Sequence, residues 1–174
     1  PWVIPTIHAR IDDQLYVHGA VANHMLRALD DGVEACVTVT LVDGLVLARS
    51  AFHHSMNYRC AMVFGRAAKV DDEQEKLAAL AALVEHVVPG RGIEARPPAP
   101  AEARKTLVLR LPISEASAKV RTGGPIDDEE DVALPVWAGV LPCRLVFDAP
   151  IPEPEVAVAV PDYITNYRRP SELA

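Results

Sequence analysis

The stretch ACVTVTLVDGLVLARSAFHHSMNYRCAMVFGRA, residues 35–67, carries the strand signal from which the fold is read. Ala35 to Val42 is rich in β-branched residues, with Thr38 and Thr40 on one face and Val37, Val39 and Leu41 on the other. Asp43-Gly44 predicts a hairpin whose partner strand is Leu45 to Arg49. The polar run SAFHHSMN, residues 50–57, predicts a loop or a strongly bent entry into the next strand. Tyr58 to Val70 then reads as one long strand, with Gly65 as the candidate bulge.

Working outward, Val3 to Ile7 contains Pro5 and predicts an edge or irregular strand. Asp12-Asp13 predicts a turn, and Leu15 to His18 the returning strand, which Gly19 breaks. Ala22, Met25, Leu26 and Leu29 then recur at helical spacing until Asp30-Asp31-Gly32. The clearest helix is Asp72 to Val88, with an apolar stripe of Leu77, Leu80, Val84 and Val87 and an Asp72/Glu75 capping-box spacing. Residues 89–100 carry four prolines and predict a surface crossover. Thr106 to Ile113 predicts a strand, and an extended segment bearing Lys119 and Arg121 follows. The acidic run at 127–131 predicts a solvated loop, and Val136 to Phe147 the last long strand. The proline-rich tail, 148–174, predicts a segment lying on the surface or on a partner subunit.

The 174 residues are half hydrophobic and 24% charged, which suits one folded domain spanning 1–174 and excludes a wholly disordered chain. The net charge of −7 argues against nucleic-acid binding through phosphate neutralisation. That acidity falls in residues 71–174, since residues 1–70 carry six basic and six acidic groups, so an anionic ligand is easier to place on the first half. No apolar run is long enough to cross a bilayer and no signal-like stretch is visible, so a cytoplasmic protein is expected. Cys36, Cys60 and Cys143 form no CxxC pair and read as buried free thiols. Many strands with only two substantial helices fit a small, mostly antiparallel barrel rather than a doubly wound sheet.

The residues that carry chemistry are few. A strand end, Gly19 and a helix start offer backbone N–H groups to an anion, with His18, Asn23 and His24 as side-chain donors. Equally, Asn23 reads as a plain N-cap and Gly19 as a turn residue. His53 and His54 alternate faces in an extended chain, so they are poor joint metal ligands, and no metal site is expected. No G-x-S-x-G elbow, G-x-G-x-x-G fingerprint or Walker loop is present. Any reaction would therefore rest on a cofactor. Lys119 and Arg121 share a face that is either solvated or held by an anion, and Trp137 reads as a core or dimer-interface aromatic.

Four stretches resemble the FMN-binding split-barrel proteins: VIPTIHAR (3–10), LYVHGAVANHMLRAL (15–29), residues 35–67, and EASAKVRTGGPIDDEEDVALPVWAGVLP (115–142). Within that family the likeness is to the pyridoxamine-phosphate-oxidase-related branch that includes nitroimidazole-resistance-type proteins. The resemblance implies a mainly β fold, a six-stranded antiparallel split β-barrel with peripheral helices. It also implies a homodimer holding FMN in clefts between subunits. His18, Gly19, Asn23 and His24 match the family's phosphate-binding segment. This chain has Asn23-His24-Met25 where closer relatives of the oxidases carry a Ser-Arg-Lys-like run, so Arg59, Lys119 and Arg121 are the compensating cations. Tyr58, Arg59 and Trp137 match positions lining the flavin cleft, Thr38 and Thr40 would face the ring, and His53 and His54 would stand at the substrate mouth as the catalytic candidates. The implied activity is an FMN-dependent oxidoreductase acting on a small molecule, a nitroaromatic among the options, with NAD(P)H as a possible donor. The alternatives are a flavin- or haem-binding carrier or sensor without turnover and an F420-dependent reductase.

Overall fold

The computed structural model describes residues 2–168. In chain order its strands are β1 (His8–Ile11), β2 (Gln14–Ala20), β3 (Glu34–Leu47), β4 (Ser55–Arg66), β5 (Ala68–Lys69), β6 (Thr106–Pro112), β7 (Glu115–Arg121) and β8 (Gly139–Pro142). The helices are α1 (His24–Asp30), α2 (Glu73–Val87), α3 (Arg91–Glu94), α4 (Pro100–Lys105) and α5 (Asp162–Thr165). The fold is mainly β, with two four-stranded antiparallel sheets in the orders β1-β2-β6-β5 and β7-β4-β3-β8, and peripheral helices. Among the described residues the strands number eight against the six expected, an arrangement consistent with the split-barrel family. Contacts group the chain into two compact units, one of residues up to 35, 64–115 and 147 onward, the other of residues 36–63 and 116–146.

In the first unit, β1 and β2 form a hairpin whose tight turn needs the left-handed conformation at Asp12 (φ 51°), which Asp adopts more readily than most residues. The strand begins at His8, so Val3–Ile7 precedes the sheet instead of forming part of it. Gly19 lies inside β2, opposite Leu107, and does not end it. β6 is buried on both faces, with Leu107, Val108, Leu109 and Leu111 enclosed and Leu109 0% exposed. Helix α2 lies against this sheet. Ala79 and Leu83 are its buried residues, and the small Ala79 joins Tyr16, Val70 and Val108 in the core. The expected stripe is therefore turned: Leu77, Val84 and Val87 are exposed, because the run LAALAAL is apolar on more than one face. Glu75 fixes the helix to the sheet, accepting from Tyr16 Oη (2.9 Å) and from Arg110 Nη1 (3.0 Å to each oxygen).

In the second unit, β3 runs through Asp43-Gly44 without turning. A two-residue type I′ hairpin needs positive φ at both positions, and neither residue has it. Gly44 instead lies opposite Pro142 of β8, where a Cβ would come within 3.0 Å of the Leu141 carbonyl oxygen. The long strand expected over Tyr58–Val70 begins earlier, at Ser55, and stops at Arg66 just after Gly65 (φ 150°), with Ala68–Lys69 pairing β6 of the other sheet. Val136–Phe147 contributes only the four residues of β8. Cys36 and Cys143 are exposed and Cys60 half-buried, all three free, so the thiols are not the enclosed ones expected. Among the described tail residues only α5 is regular, and residues 169–174 lie outside the described residues. No helix among the described residues is long and apolar enough to cross a membrane.

The Asp72 side chain caps α2 by accepting the Glu75 N–H (2.7 Å). Asp72→Ala is expected to lower the unfolding free energy by about 1 kcal/mol, read from the urea midpoint at constant m-value.

Candidate functional site

The second unit gathers a polar cluster where β7, β4 and the segment after β7 meet. The β7-β4 pairing brings Arg121 to Asn57, whose Oδ1 accepts from Arg121 Nη1 at 2.6 Å. Asn57 is 9% exposed and its Nδ2 donates to the Gly123 carbonyl at 3.0 Å, so both ends of the amide are used. Gly123 itself holds φ 98°, a conformation that suits glycine. Arg121 also reaches the Gly124 carbonyl, at 3.5 Å. Its partners are all neutral, so its charge is not offset by any carboxylate among the described residues, and the same holds for exposed Lys119 two residues earlier on the same face.

Arg59 differs. Its guanidinium makes a two-pronged pair with Asp43, Nε to Oδ2 at 3.0 Å and Nη2 to Oδ1 at 2.8 Å. That pairing holds the Asp43 carboxyl below its ordinary value and neutralises Arg59 locally. The acidic run is not simply solvated either. Asp127 has a side chain only 4% exposed and accepts from the Arg49 backbone N–H (2.8 Å) and Arg49 Nη1 (2.7 Å). The Arg49 N–H is the main cause holding its carboxyl below the ordinary value, with the guanidinium adding to it. Asp128 Oδ2 stands 3.0 Å from His53 Nε2, while His54 Nδ1 lies 3.0 Å from the Ser50 carbonyl oxygen. Thr40 Oγ1 donates to Cys60 Sγ (3.3 Å), and Thr38 Oγ1 lies 3.4 Å from Cys36 Sγ. Tyr58 is half-buried, and Trp137, 67% exposed, packs over Gly139 and is not a core residue.

The remaining predicted residues belong to the first unit. Asn23 is the N-cap of α1, its Oδ1 accepting the Leu26 N–H at 3.1 Å. A Cβ at Gly19 would meet Leu26 Cδ1 at 2.8 Å, so that glycine admits the core leucine. His24 is exposed, edge-on to Trp2 with ring centroids 5.0 Å apart. His18 has a different setting. It lines an open cleft of about 1000 Å³ walled by α2, including Leu77, Leu80, Leu83, Val84 and Val87, with Arg91 and Arg96 also lining it. His18 Nδ1 is buried and has no hydrogen-bond partner, a state shared among the described residues only by Arg49 Nε. Arg96 is bound by Glu102 (2.7 and 2.8 Å) and, with the Ala99 N–H, holds that carboxyl down to about 2.

The predicted residues thus fall into two groups, His18, Gly19, Asn23 and His24 in one unit and the other nine in the other. Sequence reasoning missed Asn57, Arg49, Asp43 and Asp127. Asn57 carried a usable signal, an amide in a β-rich run two residues before Arg59. The two aspartates carried none, since their arginine partners lie 16 and 78 residues away.

Residues 1–120 match the pyridoxamine 5'-phosphate oxidase family. Two solved structures cover most of the chain. The flavocytochrome Anf3 from Azotobacter vinelandii is 43% identical over 97% of this chain and 79% of its own, with TM-score 0.89. The FAD and haem binding protein from Mycobacterium smegmatis is 37% identical over 92% of this chain and 80% of its own, with TM-score 0.88. A third, from Bacteroides thetaiotaomicron, is 23% identical over 68% of each chain, with TM-score 0.53, and shares the fold alone. No curated protein matches the chain.

Two substitutions test the polar cluster. Asn57→Leu leaves Arg121 and the Gly123 carbonyl without their partner and is expected to cost about 1–3 kcal/mol in urea unfolding. For Asp127, the folded carboxyl titrates below 3.8, so its stabilisation is fully present above that value and is lost as pH falls through the folded pKa. Asp127→Asn should therefore lower the urea midpoint at pH 7, and the gap to the parent should narrow as pH drops below 3.8.

Proposed function

The chain belongs to the pyridoxamine 5'-phosphate oxidase family, and from that premise we propose that it is a flavin- and haem-binding redox protein. The observation that carries this reading is the likeness, at 43% and 37% identity over nearly the whole chain, to a flavocytochrome and to an FAD and haem binding protein. The second of these relatives, an FAD and haem binding protein, favours FAD over FMN as the flavin. A bound flavin would supply hydride or electron transfer, and a haem iron single-electron chemistry.

The chain's own residues suit a flavin phosphate in one respect. Lys119 and Arg121 lie on one face of β7 with no carboxylate beside them among the described residues, so a phosphate would offset charge that these residues leave open. Arg59, already paired with Asp43, is the weaker candidate. The N-terminus of α1 offers less than the sequence suggested, since Asn23 takes up one of its N–H groups and the helix has seven residues. The second unit also leaves Val39, Val42, Leu45, Val120 and Leu141 exposed, which supports a homodimer formed through this unit.

The test is the absorption spectrum of the purified full chain, with the released cofactors separated by chromatography. Flavin bands together with a Soret band, and FAD among the released species, are the expected result. Flavin without a Soret band, in protein also exposed to haemin, would return the reading to a flavin-only oxidoreductase. A solution mass of twice the monomer is expected in the same preparation.

A further inference from the structure

We infer that the cleft beside α2 in the first unit is a haem site, in which the His18 imidazole ligates the iron, the apolar wall of α2 holds the porphyrin, and Arg91 and Arg96 receive the propionates. This assignment rests on the reading of the chain as a flavin- and haem-binding protein, and adds where the haem lies and which side chain holds it.

Three observations converge. The first is the wall. Leu77, Val84 and Val87 are exposed although the core beneath α2 is already filled by Ala79 and Leu83. An apolar helix face left open beside a cleft of about 1000 Å³ suits a flat, apolar occupant of cofactor size, such sites spanning roughly 300–1,000 Å³. The second is His18. Its strand, β2, is paired on both sides, with His18 opposite Val108, so the backbone direction of the ring is fixed. Nδ1 is buried without a partner and is closed to the cleft, while Nε2, which has no recorded bond and is not among the buried atoms, is the nitrogen open to a ligand. Imidazole is a common iron ligand, and ligation gives the ring a role that no hydrogen bond provides. The third is the charge. Arg91 and Arg96 line a cleft otherwise dominated by apolar side chains, and each guanidinium has five N–H donors. Arg96 spends its recorded bonds on Glu102 and the Pro97 carbonyl through Nη1 and Nη2, and Arg91 its own on Glu94 and Tyr163 through Nη1 alone. Each already faces a glutamate, so a carboxylate at the solvent edge would be received by the N–H donors that remain rather than by an unpaired charge.

The same lining disfavours a flavin. An isoalloxazine ring presents carbonyl oxygens and ring nitrogens along its edges, and the aliphatic wall from Leu77 to Val87 has no side-chain donors for them. A porphyrin has its polar demands at the iron and the two propionates, for which the lining supplies one histidine and two arginines, with Glu102 and Thr106 as its other polar side chains.

The experiment titrates haem-free full-length protein with ferric protoporphyrin IX and follows the Soret band, with flavin content measured in the same samples. The parent is expected to give a saturable histidine-ligated spectrum. His18→Ala should weaken binding by at least about tenfold and lose that spectrum, since changing even a residue that only supports a metal ligand costs about 10–100-fold. Added imidazole should restore the spectrum, and flavin content should not change. His86→Ala, which removes the one imidazole of α2 and lies outside the cleft lining, should bind as the parent does. Unchanged binding and spectrum in His18→Ala would overturn the assignment while leaving haem binding itself intact. Flavin lost along with haem in that variant would overturn it by giving the cleft to the flavin. A parent that takes up no haemin would overturn both this assignment and the haem part of the function it rests on. Should His18→Ala fail to fold, Val84→Trp fills the cleft from an exposed helix position. A loss of haemin affinity with flavin retained would then support the site, and unchanged affinity would overturn it.

Discussion

The extended conformation of Asp43-Gly44 is the constraint on which the second unit depends. Three contacts hold it. Arg59 grips the Asp43 carboxylate with both prongs, the Cys143 N–H donates to the Asp43 carbonyl (3.1 Å), and β8 packs so closely over Gly44 that no side chain fits there without displacement. A turn at this point would divide β3 into two short strands and leave β8 without its ladder. Kept straight, the 14-residue strand serves β4 on one side and β8 on the other. The order β7-β4-β3-β8 follows, and with it the meeting of Arg121 and Asn57 across the β7-β4 edge.

That arrangement explains how opposite charges are distributed. Arg49 and Arg59 each sit against an aspartate, and both aspartates titrate low because N–H donors converge on them. These pairs tie distant parts of the chain together, Asp127 doing so while nearly enclosed. Arg121 is held instead by the Asn57 amide oxygen and, at 3.5 Å, by the Gly124 carbonyl. Such partners fix its position without cancelling its charge, so its field remains available to an anion.

Much of this was legible in the sequence where the signal is local. The β1–β2 hairpin, the capped helix α2, β6 and β7 are each specified by a few consecutive residues, through turn residues, a cap or alternation. The Asp43-Gly44 pair misled because a hairpin signal is a statement about backbone preference, whereas here tertiary contacts from Arg59 and β8 decide. The stripe on α2 misled for a related reason: in LAALAAL, periodicity shows that more than one face is apolar, and only the sheet's shape selects the face with the small Ala79 for close packing. Of the site, the residue types in 18–24, 53–59 and 119–121 were visible. Their division between two units, and the partners that commit Arg59 but leave Arg121 uncommitted, depend on contacts up to 78 residues apart that no short motif encodes.

Polar groups that a fold leaves unsatisfied indicate where something else is meant to bind, provided the rest of the molecule is well satisfied. Here it is: Tyr16, Asn57, Asp127 and Glu75 all have partners in or near buried positions, and buried side-chain orphans among the described residues are two. Arg49 Nε belongs to a guanidinium already anchored by Asp127, so its missing bond is a minor deficit on a paired group. The His18 ring has no recorded bond at all and stands beside an open apolar wall. Leaving Nδ1 buried and unbonded costs about 1–3 kcal/mol, and a phenylalanine or leucine would avoid that cost if packing were the only demand. A ligand taken by the accessible Nε2 would give the ring a use that packing does not.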